Sequence, residues 1–282
     1  VSMKIPKMIG HFLGLHFKPN WIAYIILGII PFLVVGWFYI SSMNERKAEN
    51  PDDKLLPSWT QMMDQVKPYV TEVNKRKEVN LFIDDTKASL TRLAKGVFFG
   101  SIVALFIGVG MGVFGWMRAL MLPSVVFLSI IPPLSILPIL FIMLGVGEIA
   151  KVFLIFMGIC FLMTRDMMRA VDELPKEQMV KTLTLGGNSF YYIWKIVIPQ
   201  ILPRFFEAIT IYLSPAWLFL IASEAIASTN GLAYRIYLSQ RYMNMALIIP
   251  IVLWITFLAV GMNLILMVFN RIVFAWYYQG RK

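Results

Sequence analysis

Six stretches of this sequence carry almost no charge over lengths close to those that cross a bilayer: Trp21–Ile40, Val97–Met117, Leu120–Leu144, Val152–Thr164, Phe205–Ala227 and Ala246–Phe269. A helix needs about 20 apolar residues, at ~1.5 Å rise each, to traverse a hydrocarbon layer ~30 Å thick. Water is absent there, so every backbone polar group must be satisfied inside the segment, and helices do this alone. The pattern predicts an all-α integral membrane fold with six transmembrane helices, the fourth completed by residues 149–151. With 59% hydrophobic and only 15% charged residues, an ordinary soluble or disordered chain is excluded. The first stretch is too long, and lacks the small-residue site, for a cleaved signal, so it is expected to remain as an anchor.

The formal net charge of +10 points to a membrane topology and not to nucleic acid, because the basic residues are scattered between apolar runs. With the N-terminus inside, inner segments hold 13 Lys and Arg and the short outer loops only Lys151, Arg235 and Arg241. Both termini are therefore expected in the cytoplasm. Trp21 at the start of the first stretch, and Trp276, Tyr277 and Tyr278 after the last, suit the headgroup layer. The expected organisation is an N-terminal segment and first span (1–40), an extracytoplasmic amphipathic region (41–88), a core (89–270) containing an inner loop (165–204), and a cytoplasmic tail (271–282). Within the second segment, Trp59, Met62, Met63, Val66 and Tyr69 recur at near-helical spacing, which predicts one or two amphipathic surface helices that cover the bundle, with a docking surface for a partner as the alternative.

Small residues at Gly96, Gly100, Ala104, Gly108 and Gly112 form a stripe along one helix face and predict close helix packing. Pro132, Pro133 and Pro138 are expected to break the third span and Ser214-Pro215 the fifth. Ionisable residues inside spans need a partner or a function. Glu207 is expected to pair with Arg204. Glu224 lies seven residues beyond Trp217, about two turns on the same face. Thr210, Ser214, Trp217 and Glu224 are read as a polar stripe facing a subunit interface and a solute path, and its single negative charge suggests a neutral or zwitterionic solute. Between Arg165 and Arg204 two short helices are expected, the first opened by Pro175, the second capped by Ser189 and ended before Pro199 and Pro203, with Gly186-Gly187-Asn188 between them. They look like a plug for a cytoplasmic partner. His11 and His16 are the only histidines, one cysteine (Cys160) is present, and no nucleotide-phosphate loop or HExxH occurs, so no metal site or catalytic residue is proposed. A secondary carrier using Glu224 as an ion or proton site is the alternative from residues alone.

Several motifs resemble permease subunits of bacterial ABC importers, in the nitrate/sulfonate/taurine/bicarbonate group. Leu185-Gly186, with Pro199 thirteen residues after the glycine and Pro203 beyond, resembles the cytoplasmic coupling motif. Ser89-Leu90-Thr91-Arg92, Ile131-Pro132-Pro133-Leu134, Pro138, Gly145-Val146-Gly147-Glu148, Lys151, Ala216-Trp217, Glu224 and Gly231-Leu232 resemble other family stretches in order and spacing. The resemblance implies a type I importer permease in a bacterial inner membrane, with no cofactor of its own. It also implies ATP and Mg in separate ATPase subunits, a second permease subunit (a homodimer) and an extracytoplasmic solute-binding protein. It places coupling at Thr182, Leu183, Leu185, Gly186, Gly187, Asn188 and Pro199, and a solute path at Ser129, Ser135, Thr210, Ser214, Trp217 and Glu224. The sequence departs from the family where Glu-Ala-Ala is replaced by Val180-Lys181-Thr182. The arginine often found before the Ile-Pro-Pro stretch is Ser129, and Gly-Leu-Arg is Ala208-Ile209-Thr210.

Overall fold

The computed structural model describes residues 21–49, 55–71, 73–74 and 79–279. The expectations for the segment before Trp21, including His11 and His16, and for the end of the tail lie outside the described residues. The chain divides into two compact units, Val1–Trp59 and Thr60–Lys282. In the first, α1 (Trp21–Glu49) continues through the polar residues after Ile40 instead of stopping there, and Tyr39 donates to the Pro57 carbonyl (2.8 Å). An extended apolar face of α1, including Val35, Trp37 and Phe38, is exposed.

The second unit is almost wholly helical. It comprises α2 (Trp59–Thr71, counted from Thr60), a two-residue antiparallel pair of β1 (Val73–Asn74) with β2 (Val79–Asn80), and α3 (Leu81–Val113). There follow α4 (Gly115–Ile130), α5 (Pro133–Leu144), α6 (Glu148–Asp172), α7 (Lys176–Thr184) and α8 (Ser189–Tyr192). A five-residue π-type turn, Ile193–Val197, leads into α9 (Ile198–Ala227), then α10 (Leu232–Arg241), α11 (Met245–Val273) and α12 (Ala275–Gln279). Among the described residues, α3, the run Ser189–Ile226 and α11 are long and apolar enough to cross a membrane, and α4 with α5 together form a fourth, broken candidate. The 25-residue α6 confines its charges to its ends, leaving Val152–Thr164 uncharged between them.

Four features depart from the sequence reading for physical reasons, while the break expected in the third stretch is present. The helix expected from Val97 begins at Leu81, where the Asn80 side chain caps it by accepting from the Phe82 amide (3.0 Å). Of its early charges, Asp85 and Arg92 are buried and ion-paired, as described below, and Lys87 and Lys95 are exposed. The third stretch does break, with a 98° bend between α4 and α5; Ile131 and Pro132 are extended, and proline supplies no amide to continue the ladder. The fifth does not break: α9 runs uninterrupted through Pro203 and Pro215. Each proline removes one ladder bond, and burial of Leu213, Ala216, Trp217 and Leu220 around Pro215 holds the axis. Finally, the second inner helix is capped by Asn188, whose side chain accepts from the Tyr191 amide (2.8 Å), not by Ser189. It does not end before Pro199, because the wide π-type turn carries the chain into α9.

The small-residue stripe packs α3 against α6. A Cβ added at Gly96 would lie 2.6 Å from Ile155, at Gly100 2.9 Å from Ile159, at Gly108 2.5 Å from the Met167 Cβ, and at Gly112 2.5 Å from Val171. Ala104 between them is fully buried. Close approach of this kind replaces the hydrophobic drive that lipid cannot supply. Above and around it, Leu93, Leu154, Ile155, Trp217, Leu220 and Leu232 form the largest core cluster. Gly108→Val is accordingly expected to destabilise the fold by ~1–3 kcal/mol through overpacking. Gly115→Val, where an added Cβ meets nothing within 4 Å, serves as the control. Folded yield and melting temperature of the purified chain check this, and equal behaviour of the two variants would contradict it.

Candidate functional site

The face of α3 that packs on α6 is polar at its Leu81 end. Asp85, Ser89 and Arg92, spaced four and three residues apart, are all buried (at most 3% exposed) and collect the neighbouring elements. Arg92 donates through Nε and Nη2 to the two Glu148 oxygens (2.6 and 2.7 Å), a bidentate pair at the start of α6. Its Nη1 donates to Glu224 Oε1 on α9 (2.7 Å) and to the Asn230 carbonyl (2.9 Å), and Nη2 also donates to Asn230 Oδ1 (2.6 Å). The five N–H donors of the guanidinium thus each reach an acceptor. Glu224, with no exposed surface, also accepts from Ser89 Oγ (2.8 Å) and the Ala233 amide (3.1 Å), and Ser89 accepts from the Leu232 amide (2.9 Å).

A second pair continues the cluster. Asp85 accepts from the Gly231 amide (2.9 Å), from Arg235 Nε (2.9 Å) and from the Tyr69 hydroxyl (2.9 Å), with the Arg235 guanidinium 5.3 Å from the Tyr69 ring centre. Gly231 is required twice over: its φ is +123°, and a Cβ would sit 2.6 Å from the Glu224 carboxyl. Lys151 completes the set by donating to Glu148 (3.0 Å). Glu148, ahead of the uncharged part of α6, is held well below the ordinary carboxylate range, at about 2, chiefly by the hydrogen bonds from Arg92. Arg92 and Lys151 balance Glu148 and Glu224, and Arg235 balances Asp85, so the cluster is neutral as a whole. Satisfied in this way, buried ions tie elements together; unpaired, each is costly.

The residues expected along a solute path are not brought onto one face of a single copy of the chain. Trp217 (5% exposed) and Glu224 are buried within it, Thr210 is half-buried with its hydroxyl donating to the Phe206 carbonyl (2.9 Å), and Ser214 and Ser135 are exposed. The Trp217 Nε1 has no hydrogen-bond partner. Glu224 has a protein partner for each oxygen, an environment unlike that of an exchangeable ion or proton site. Half-buried Ser129 accepts from Arg165 Nη1 (3.2 Å), so a cation stands beside the position at which the family arginine is missing, which undercuts charge as a reason for expecting a neutral solute. Nearby, Tyr212 donates to Asp166 (2.6 Å). Glu207 accepts from Tyr278 (2.9 Å), while Arg204 pairs with Glu173 and donates to Tyr277 (3.3 Å), so the expected Arg204–Glu207 pair is absent. The sequence alone gives no role to Arg92, beyond its place in the Ser89–Arg92 motif, or to Asp85, Asn230 and Arg165. The Asp85-Ser89-Arg92 spacing, continuous with Gly96 and Gly100, is the signal that would have exposed the first two.

The expected coupling residues do converge. The Leu185 and Gly186 amides donate to the Lys181 and Leu183 carbonyls (both 3.1 Å) and the Gly187 amide to that of Thr182 (2.9 Å), closing the end of α7, while Gly186 sits at φ +80°. Thr182 is buried, and Leu183, Leu185 (87% exposed), Phe190 and Tyr191 are exposed. Between α7, α8 and the start of α9 lies an open groove of about 710 Å³, bounded by Lys181, Leu185, Tyr191 and Gln200. Pro199 is exposed in the first turn of α9. Of the three acids near the missing Glu-Ala-Ala, Asp172 pairs with Arg118 (2.9 Å) and Glu173 with Arg204, while Glu177 is exposed in the first turn of α7 with no ion pair among the described residues. Gly231→Ala is expected to cost ~1–3 kcal/mol from backbone strain alone, with the clash at Glu224 added. Thermal melting against Gly147→Ala, where a Cβ meets nothing within 4 Å, measures it, and matched melting temperatures would contradict the packing described.

Residues 96–277 match the family model described as "Binding-protein-dependent transport system inner membrane component". The chain is 28% identical over 194 residues to a probable ABC transporter permease protein of Brucella melitensis, covering 69% of this chain and 79% of that one. It is 25% identical over 190 residues to the taurine transport system permease protein of Escherichia coli (67% and 69%). With the bicarbonate transport system permease protein of Synechococcus elongatus it shares 27% over 203 residues (72% and 71%). A solved structure of the MetNI methionine ABC transporter, facing inward, superposes with a TM-score of 0.61 at 18% identity over 68% of this chain and 96% of that one, which establishes a shared fold. The chain belongs to the binding-protein-dependent transport system inner membrane components, and it is a permease subunit of an ABC importer.

Proposed function

We propose that this permease moves a small polar solute inward across a bacterial inner membrane as one of two identical pore subunits. Cytoplasmic ATPase subunits, carrying ATP and Mg, supply the energy through the α7–α8 loop, and an extracytoplasmic binding protein delivers the solute. The observation that carries the reading is the exposed apolar projection of Leu183, Leu185, Phe190 and Tyr191 around a glycine-closed turn. A helix pair with that surface needs a partner. Because the acid of the usual motif is missing and Asp172 and Glu173 are occupied, docking rests on apolar contact, on the groove and on exposed Glu177 as the acid at hand. Nucleotide-driven closure of the ATPase pair biases a bundle with two arrangements, and the 98° break between α4 and α5 is the joint best placed to move. Solutes of the taurine or bicarbonate kind, named for two relatives, are compatible with Arg165 beside Ser129.

Affinity purification from native membranes tests this. Wild type is expected to bring an ATPase with it, and Leu185→Asp to lose at least nine-tenths of it while the permease keeps its melting temperature. Gly186→Asn, tolerant of positive φ, is expected to retain more ATPase than Gly186→Val. Retention of the ATPase by Leu185→Asp would refute the docking assignment. In a Cys160→Ala background, Asn188→Cys is expected to react with impermeant thiol reagents only in opened membranes, and Ser58→Cys in intact cells. Reversed labelling would overturn the orientation.

A further inference from the structure

We propose that the outward face of α3, near its Leu81 end, holds an anionic phospholipid, with the phosphate between Lys87 and Lys95 and an acyl chain in the crevice between α3 and α11. Two successive grooves run along that crevice and meet at Ala94. The upper, about 590 Å³, is walled by Phe82, Ile83, Leu90 and Trp254 and edged by both lysines. The lower, about 300 Å³, is bounded by Val97, Phe98, Leu213, Met262 and Leu266. Lys95 also edges a third groove of about 320 Å³ on the α6 side, lined by Phe99, Val152 and Phe153, which gives a second acyl chain a place on the other flank of α3.

Charge selects the occupant. Lys87 and Lys95 are exposed, and no ion pair among the described residues involves either. The acid nearest in the lining, Glu148, is already engaged by Arg92 and Lys151. Lys95 lies three residues, about one turn, below Arg92 on a helix whose next uncharged run starts at Val97. An ammonium at that depth rises on its stem toward the headgroup layer and gains from an anionic neighbour there. The two lysines leave the helix about 12 Å apart along the axis, a gap that two long flexible side chains close around one phosphate, beside the upper apolar groove and above the lower one; this matches a phosphate with a hydrocarbon tail. They do not match a neutral lipid or a free hydrophilic anion.

Native mass spectrometry of the whole chain, purified in mild detergent and mixed with dioleoylphosphatidylglycerol or dioleoylphosphatidylcholine, provides the test. Wild type is expected to retain the glycerol lipid at least fivefold better than the choline lipid. Lys87→Gln/Lys95→Gln is expected to lose that preference, and Lys87→Arg/Lys95→Arg to keep it, with melting temperatures unchanged because both side chains are exposed. Should the glutamine variant unfold, the arginine variant and Lys95→Gln alone decide: the first must retain the preference and the second must reduce it. Equal retention of the two lipids by wild type, or by wild type and the glutamine variant, overturns the proposal. Loss of the bound lipid in millimolar inorganic phosphate would assign the lysines to a free anion instead and overturns it. So does a disulfide between two copies of Phe98→Cys in membranes of a Cys160→Ala chain, which would give the crevice to a second subunit.

Discussion

A single buried guanidinium sets the upper end of this bundle. Arg92 on α3 spends its donors on α6 through Glu148, on α9 through Glu224, and on the α9–α10 turn through Asn230. Removing one partner of such a pair costs ~3–5 kcal/mol, because the other is left charged and unsolvated. The geometry therefore requires the three helices and the turn to arrive together. Gly231 must lack a side chain for Glu224 to fit, and Ser89 and Asp85 must face the same way to receive the backbone of α10. The strength of the site lies in its complete hydrogen bonding more than in the charges themselves.

Below this cluster the same face of α3 changes chemistry. Asp85, Ser89 and Arg92 give way to Gly96, Gly100, Ala104 and Gly108, and ion pairing gives way to contact so close that a Cβ at any of the three glycines would clash. The α3–α6 pair is thus pinned at one end and zipped along its length, a rigid unit. Movement is left to the elements that lack such ties: the α4–α5 bend and the exposed α7–α8 projection. The proposed coupling needs this division, since force applied at the α7–α8 loop would produce alternating access only if part of the bundle stays fixed.

Much of the architecture was legible. Uncharged runs located the membrane helices, the prolines at 132 and 133 marked the real break, and Gly186 marked the inner turn. The errors share one physical origin. A search for uncharged windows treats every charge as solvated, so it misses the first four turns of α3, with Arg92 ahead of the expected span and Asp85 in the outer region. Without that partner, Glu224 reads as a pathway charge. Pairing across 132 residues of sequence is invisible to local pattern. The prolines of α9 misled for a related reason: a proline breaks a helix only where the packing around it allows, and here it does not.

The central claim is that Arg92 and Glu224 act as one unit. A double-mutant cycle reads this directly, comparing thermal stability of the whole chain with Arg92→Met, Glu224→Gln and both changes. The account predicts a strong coupling, ~1.5–3 kcal/mol, at the upper end of what contacting residues show, with the double variant more stable than the sum of single losses implies. Additive losses, with no coupling beyond ~0.5 kcal/mol, would contradict it.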